Sequence, residues 1–362
     1  MPVTLNVDDI KLNYDPSRPQ QRFRDAGLEA AFLAPEVQLP DSVPWPAGAV
    51  PVAAPLNPPP ADSDDLLRFK GYDAVVVTWT AVEAAALATL LTPGYPISTW
   101  YLYRHNVAQY IPLVTGKQSP FNDNTPDMAR YYHTLALYLP CQIGKMKVLL
   151  MKSGLHLDYD GPATPVKKLM TEIAQTTQPK LFITTGTGGA IGSDVLLGDV
   201  VIAGSVRFDC TKQFKHEPWH NAVFTPAKLP AGALAAITPA LTQPNASRIP
   251  NAANPPNLWS SKNDAIVTTD FFAFDDSTDH YKLQDLGRAC DMGDAMVANA
   301  LQGIPNLSWY AIRNASDPQI PNPTGNIKQA AETAAQIYAK YGGLTTAASV
   351  IATWAVIKAA IE

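Results

Sequence analysis

Between Lys180 and Cys210 the chain reads KLFITTGTGGAIGSDVLLGDVVIAGSVRFDC, and no other stretch restricts the possible folds as much. Leu181 to Thr185 is short, apolar and β-branched, and it runs directly into Gly186-Thr187-Gly188-Gly189. That pattern predicts a buried strand ending in a tight glycine-rich turn. Val200 to Ala203, after the turn dipeptide Gly198-Asp199, predicts a second buried strand, so the glycines lie between two core strands. Glycines let the backbone approach a ligand closely, and a Thr hydroxyl with loop N–H groups can bind phosphate, carboxylate or sugar oxygens. The same turn also serves as an ordinary connector in many folds.

At 362 residues the chain can bury a sizeable core as one large domain, or as one domain with an extension. A net charge of -5, with Lys and Arg scattered, gives no basic field and sets nucleic-acid polymers aside. Cys141, Cys210 and Cys290 are far apart with no metal-ligand spacing, which predicts buried thiols in a reducing compartment rather than zinc or disulfides. Met1 to Arg24 lacks the apolar region of a signal peptide, and no window approaches 18 consecutive apolar residues, so a cytoplasmic protein with no membrane partner is expected. The 33 prolines are roughly twice the usual share and fall mainly in two kinds of segment, extension and insertion. Residues 1–70 form a proline-rich N-terminal extension, helical at most over Asp25 to Leu33, that cannot build its own core. It is either a disordered tail or, given Phe32, Val43, Trp45 and Val50, an arm laid across the domain or a neighbouring subunit. Residues 96–140 and 212–262 read as insertions, the latter with little pattern beyond Ala231 to Leu241 and of a length common in lids and oligomer contacts.

Elsewhere the pattern alternates strand and helix. Ala74 to Val77 predicts a strand, Ala81 to Leu91 a helix, Lys147 to Gly154 a strand, and Thr164 to Gln175 a helix. Ala265 to Phe274 predicts a strand on which Phe272 and Phe274 share one face and Phe271 the other. Cys290 to Leu301 predicts a helix, Trp309 to Asp317 a last strand, and Glu332 to Tyr341 and Thr345 to Ile361 two closing helices. Glu83, in a first helical turn, is suited to the positive end of the helix dipole. Asp317, before a proline, is also an ordinary turn former. Arg104 and His105 stand among aromatics and are candidates either for a pocket wall or for the surface.

The blocks Gly186 to Ile191, Leu197 to Val201 and Ser205 to Asp209 resemble the nucleoside phosphorylase and nucleosidase superfamily, which includes purine nucleoside phosphorylase, uridine phosphorylase and methylthioadenosine/S-adenosylhomocysteine nucleosidase. The resemblance runs in order from Tyr72 to about Tyr341. It implies a single α/β domain with a mixed central sheet flanked by helices, spanning residues 71–362 with the two insertions. It also implies cleavage of an N-glycosidic bond in a purine nucleoside or related N-glycoside, with no metal or other cofactor, in a homo-oligomer. Asp317, in Arg313-x-x-Ser316-Asp317, matches the acid that protonates the leaving base, and Glu83 the group that activates the attacking water. Thr187, with Gly186 and Gly188, matches the segment that touches phosphate or water. Phe272 matches the aromatic that stacks on the base, and Asp291-Met292 part of the sugar floor.

Three departures qualify that resemblance. Thr184 stands where the phosphorylases carry a phosphate-binding Arg, which points to water as nucleophile and leaves phosphorolysis as the alternative. His156 replaces a glycine and is expected near the pocket mouth. Gly293 replaces the Glu that holds the ribose hydroxyls. Either Asp294 takes over that contact, or the sugar is held differently, or the protein is a non-catalytic nucleoside binder or sensor.

Overall fold

The computed structural model describes residues 43–115, 133–158, 160–229, 234–235 and 238–361. The expected helix at Asp25 to Leu33, Phe32, and most of the stretch 231–237 lie outside these residues.

The four central strands are β2 (Ala74–Thr78), β5 (Met146–Ser153), β6 (Leu181–Ala190) and β13 (Ser308–Asp317). They are almost wholly buried, as the near-continuous apolar runs of parallel strands require. β2 runs parallel to both β5 and β6, and β13 runs parallel to β6. One side continues through β4 (Ala136–Ile143), antiparallel to β5, with β1 (Pro51–Ala53) and β3 (Tyr101–Tyr103) both antiparallel to β4. The other side carries β12 (Ala289–Asp291), β11 (Ala265–Thr269), β8 (Ser205–Asp209) and the short β9 (Val223–Phe224). β7 (Val200–Ile202) pairs with β13 and with β10 (Leu258–Trp259). The sheet is therefore mixed, as expected.

Four helices longer than one turn are described: α1 (Ala81–Leu91), α2 (Pro165–Thr177), α3 (Asp294–Leu301) and α4 (Ile327–Ile361). α4 crosses β13 and β6 and carries Trp354 into the core. By length and composition it is apolar enough to cross a membrane, but 72% of its most apolar window is buried inside the fold.

Several local expectations are corrected. Gly186 to Gly189 do not form a turn; they lie inside β6, which continues to Ala190. β6 changes neighbours there: Leu181 to Thr184 pair with β2, whereas Gly189 and Ala190 pair antiparallel with β12. Gly186, at φ 152°, sits at that switch. Cys290 and Asp291 end a short strand rather than begin a helix, and the strand at Ala265 stops at Thr269, short of the phenylalanines. Phe272 and Phe274 still pack together, with ring centroids 6.2 Å apart, while Phe271 joins a separate apolar cluster. The two closing helices are one, because Gly342 packs under the Tyr338 ring instead of breaking the helix. Each segment read as an insertion contributes strands: β3 and half of β4 in the first, β9 and β10 in the second.

Part of the N-terminal extension belongs to the core. Besides β1, Leu66 and Phe69 are fully buried, and Trp45 packs on Trp354 at 4.9 Å between ring centroids.

Candidate active site

The carboxyl ends of parallel strands are where α/β folds place ligand clefts. Here the ends of β2, β12 and β13, the glycine half of β6 and the start of α1 surround a pocket. Of the residues expected at a site, Glu83, Thr187, Gly188, Phe272, Asp291, Met292, Arg313, Ser316 and Asp317 all line it. Gly186 and Asp294 do not.

Glu83 is the hub of one wall. Thr80 caps α1 in a reciprocal box: its hydroxyl accepts from Glu83 N, and its own N–H donates to Glu83 Oε2 at 2.8 Å. Oε2 also accepts from Thr78 Oγ1 at 2.6 Å and Trp79 N at 3.0 Å. Oε1 accepts from Thr187 N at 2.7 Å and Thr187 Oγ1 at 2.9 Å, with Arg313 Nη1 at 3.5 Å. Burial alone would raise the Glu83 pKa, but Arg313 and the donors from Thr78, Thr80 and Thr187 outweigh it and hold the carboxyl below its ordinary value. Gly186 is required beneath this group, since a Cβ there would overlap the Glu83 carboxylate. Its role is to admit Glu83 to β6, not to touch a ligand.

Arg313 is buried among three carboxylates. Nε donates to Asp294 Oδ2 at 2.8 Å, Nη2 to Asp294 Oδ1 and lies 3.1 Å from Asp291 Oδ2, and Nη1 donates to the Thr187 carbonyl at 3.2 Å. Asp294 is thus turned to the arginine and away from the pocket, which removes it as a substitute for the missing sugar ligand. Asp291 accepts from Thr268 Oγ1 and from the backbone N–H groups of Gly293 and Asp294. Its pKa is pushed up by burial and by the Asp294 charge, against the pull of Arg313.

Asp317 owes its position to a β-bulge. The register between β13 and β6 shifts between Ala315 and Asp317, and such bulges re-aim side chains at sites. Ser316 Oγ lies 3.0 Å from Asp317 Oδ1 and 3.2 Å from the Gly188 carbonyl. Burial raises the Asp317 pKa from 3.8 to about 7, opposed by the Ser316 hydroxyl and by no cation among the described residues. Gly189 leaves room for it: a Cβ there would stand 3.1 Å from Asp317 Oδ2.

His156 lines the pocket as expected. Arg104 and His105 do not; Arg104 pairs with Asp62 at 2.9 Å, and His105 Nδ1 lies 3.0 Å from the Ser63 carbonyl. Thr184 is buried with its hydroxyl unpartnered among the described residues and does not reach the pocket. Among the lining residues that went unnoticed in the sequence are Trp79, directly after β2, and Ala335 and Tyr338 from α4. Trp79 had a local signal, being the first residue beyond the carboxyl end of a central strand. Tyr338 had none, because only the tertiary path of α4 brings it over the site.

Fold and site together define an α/β protein with a buried acidic pocket at the carboxyl end of a mixed sheet. The sequence profile of the phosphorylase superfamily matches residues 117–341, and the chain belongs to that superfamily. Among solved structures it is similar to the 5′-methylthioadenosine/S-adenosylhomocysteine nucleosidase of Helicobacter pylori, at 13% identity and a TM-score of 0.49 over 79% of this chain and 99% of that one. The corresponding nucleosidase of S. pneumoniae aligns at 18% identity and a TM-score of 0.47, covering 79% of this chain and 99% of its own. The futalosine hydrolase of Helicobacter pylori aligns at 12% identity and a TM-score of 0.47, over 79% and 97%. No curated protein sequence matches the chain.

Proposed function

We propose that the protein hydrolyses the N-glycosidic bond of a nucleoside or related N-glycoside. Departure of a base leaves an oxocarbenium-like sugar cation, so the reaction needs protonation of the leaving group more than a strong nucleophile. The observation that carries the reading is Asp317: a buried carboxyl whose pKa is raised to about 7, lining the same pocket as the partly buried Phe272 ring and suited to hold a proton at neutral pH and deliver it to a base. Phe272 provides the stacking face.

Arg313, Asp291 and Asp294 form the rigid floor, and the charge of that floor favours a developing sugar cation. Glu83 fixes Thr187, and the pair anchors water beside the sugar. With all of its oxygen positions occupied, Glu83 orients and stabilises rather than taking up a proton freely. Water is favoured over phosphate because Arg313, the only Lys or Arg among the described lining residues, is already surrounded by Glu83, Asp291 and Asp294.

The test is a panel of purine and pyrimidine nucleosides scored for free base, run with the parent and with Asp317→Asn. Base release by the parent that falls roughly 10²- to 10⁴-fold in the variant is expected. Equal rates in the two proteins, or no release from any member, would refute the assignment.

A further inference from the structure

Arg313 is not the only buried cation near Glu83. Lys152, one residue before the end of β5, is 2% exposed and does not line the pocket. An ammonium carries three donors, and among the described residues this one has a single hydrogen-bond acceptor, the Ser153 carbonyl at 3.3 Å, and no ion pair. Burying such a group is costly, and packing does not explain it, since a methionine would fill the same space without the cost. Its position does. Lys152 stands in register with Thr78 of β2, and by alternation along the strands both take the face of Val76, Val148 and Leu150, which packs against α1. Thr78 Oγ1 donates to Glu83 Oε2 at 2.6 Å, in the first turn of α1. Thr78 therefore links the two, its backbone paired with Lys152 and its hydroxyl with the carboxylate.

Burial lowers the Lys152 pKa to about 8, and the Glu83 charge holds it up against that. Among the described residues, the other titratable groups facing Glu83 are Arg313 of β13 and Tyr338 of α4. Arg313 Nη1 lies 3.5 Å from Glu83 Oε1. Tyr338 stays neutral, because burial and the Glu83 charge push its pKa up to about 12. Asp291 and Asp294 face Arg313 instead. Each Glu83 oxygen thus has a cation on its own side, Arg313 in near contact with Oε1 and Lys152 beside the Thr78 that donates to Oε2.

We propose that Lys152 is a positioning residue that acts through Glu83: with Arg313 it keeps that carboxylate ionised and fixed on Thr187, although it does not reach the pocket itself. This rests on the N-glycoside reading above, in which Glu83 and Thr187 anchor the attacking water. Protonation of Glu83 would set an O–H among the donors from Thr78, Trp79, Thr80 and Thr187 and release Thr187. A second cation moves that failure to lower pH. An adjacent opposite charge lowers a carboxyl pKa by roughly one to three units, and about one is expected here, where the two groups are not in contact.

The experiment is a pH titration by carbon NMR of protein labelled at lysine Cε, in the parent, Glu83→Gln and Lys152→Met. The signal missing from Lys152→Met is that of Lys152. It should titrate near 8 in the parent and about one unit lower in Glu83→Gln, because coupling between two sites is reciprocal. If Glu83→Gln folds poorly, the Glu83 carboxyl carbon carries the test, with a midpoint about one unit higher in Lys152→Met than in the parent. With a cleavable nucleoside, the low-pH limb of kcat in Lys152→Met should move up by the same unit, about tenfold in rate on that limb, while the limb set by Asp317 stays in place. A Lys152 midpoint unchanged in Glu83→Gln overturns the inference, as does a Lys152→Met protein that melts lower with both limbs unmoved. A parent that cleaves no nucleoside refutes the hydrolytic reading instead, and the lysine titration still decides the coupling.

Discussion

Asp317 and Glu83 are both buried carboxyls beside one pocket, and their surroundings drive them in opposite directions. Asp317 has one hydroxyl and no described cation, and its pKa rises to about 7; Glu83 has Arg313 and several donors, and its pKa falls. A pair of carboxyls separated in this way is how one site keeps an acid and a fixed negative charge together at neutral pH. The proposed mechanism uses the acid form of Asp317, so kcat is predicted to fall as pH rises through about 7, a limb that Asp317→Asn should lack. Stability follows the same sign. A carboxyl whose folded pKa lies above its unfolded value of 3.8 contributes fully below that value and loses the contribution as pH rises toward 7. Asp317→Asn is therefore predicted to melt higher than the parent at pH 8 and to lose that advantage at pH 4, a comparison that thermal unfolding at the two pH values makes directly. Glu83→Gln should behave differently. Its amide would turn an N–H₂ toward donors that now share a carboxylate, at roughly 1–3 kcal/mol, so melting temperature and turnover should drop together. Loss of turnover with unchanged stability would give Glu83 a purely chemical role.

β6 shows how an element builds the site. Its first half is an ordinary apolar core strand, and its glycine half admits Glu83 at Gly186 and Asp317 at Gly189. Gly186→Ala adds a Cβ against the Glu83 carboxylate at a positive φ, and is predicted to cost about 1–3 kcal/mol in chemical denaturation and to disrupt the wall. The central strands were legible in the sequence because buried parallel strands are continuous apolar runs, and α1 was legible to its last residue because strong helix formers run from Ala81 up to a stop at Pro93-Gly94. The glycines of β6 were misread because glycine marks a close approach of other groups as readily as a turn, and only the fold shows that the approaching groups are side chains. β4 was hidden by Pro140 at its centre, and the single helix α4 by Gly342-Gly343. Of the residues that the motifs named for the site, all but Gly186 and Asp294 line the pocket. Tyr338 was missed because only the path of α4 brings it to the pocket, and Trp79 was missed although it directly follows β2.

At the scale of the whole molecule, the two ends of the described chain lock together. Trp354 of α4 is fully buried, donates its indole N–H to the Ala49 carbonyl at 2.8 Å, and packs on Trp45. Trp354→Ala is predicted to cost about 3–5 kcal/mol, read as a lowered denaturation midpoint, because it empties a large core site and orphans that carbonyl. The division near residue 70 is a proposal about independent folding, and a chain begun at Gly71 would lack β1, Leu66 and Phe69. The same long helix carries Tyr338 to the pocket, so closing the fold and completing the site are one structural event. The central claim, that this pocket splits an N-glycoside with water, is tested most directly by identifying the sugar product. Incubated with a cleavable nucleoside, the protein should release free base and free ribose at the same rate whether or not inorganic phosphate is present. Strict dependence on phosphate, with ribose 1-phosphate as the product, would contradict the account.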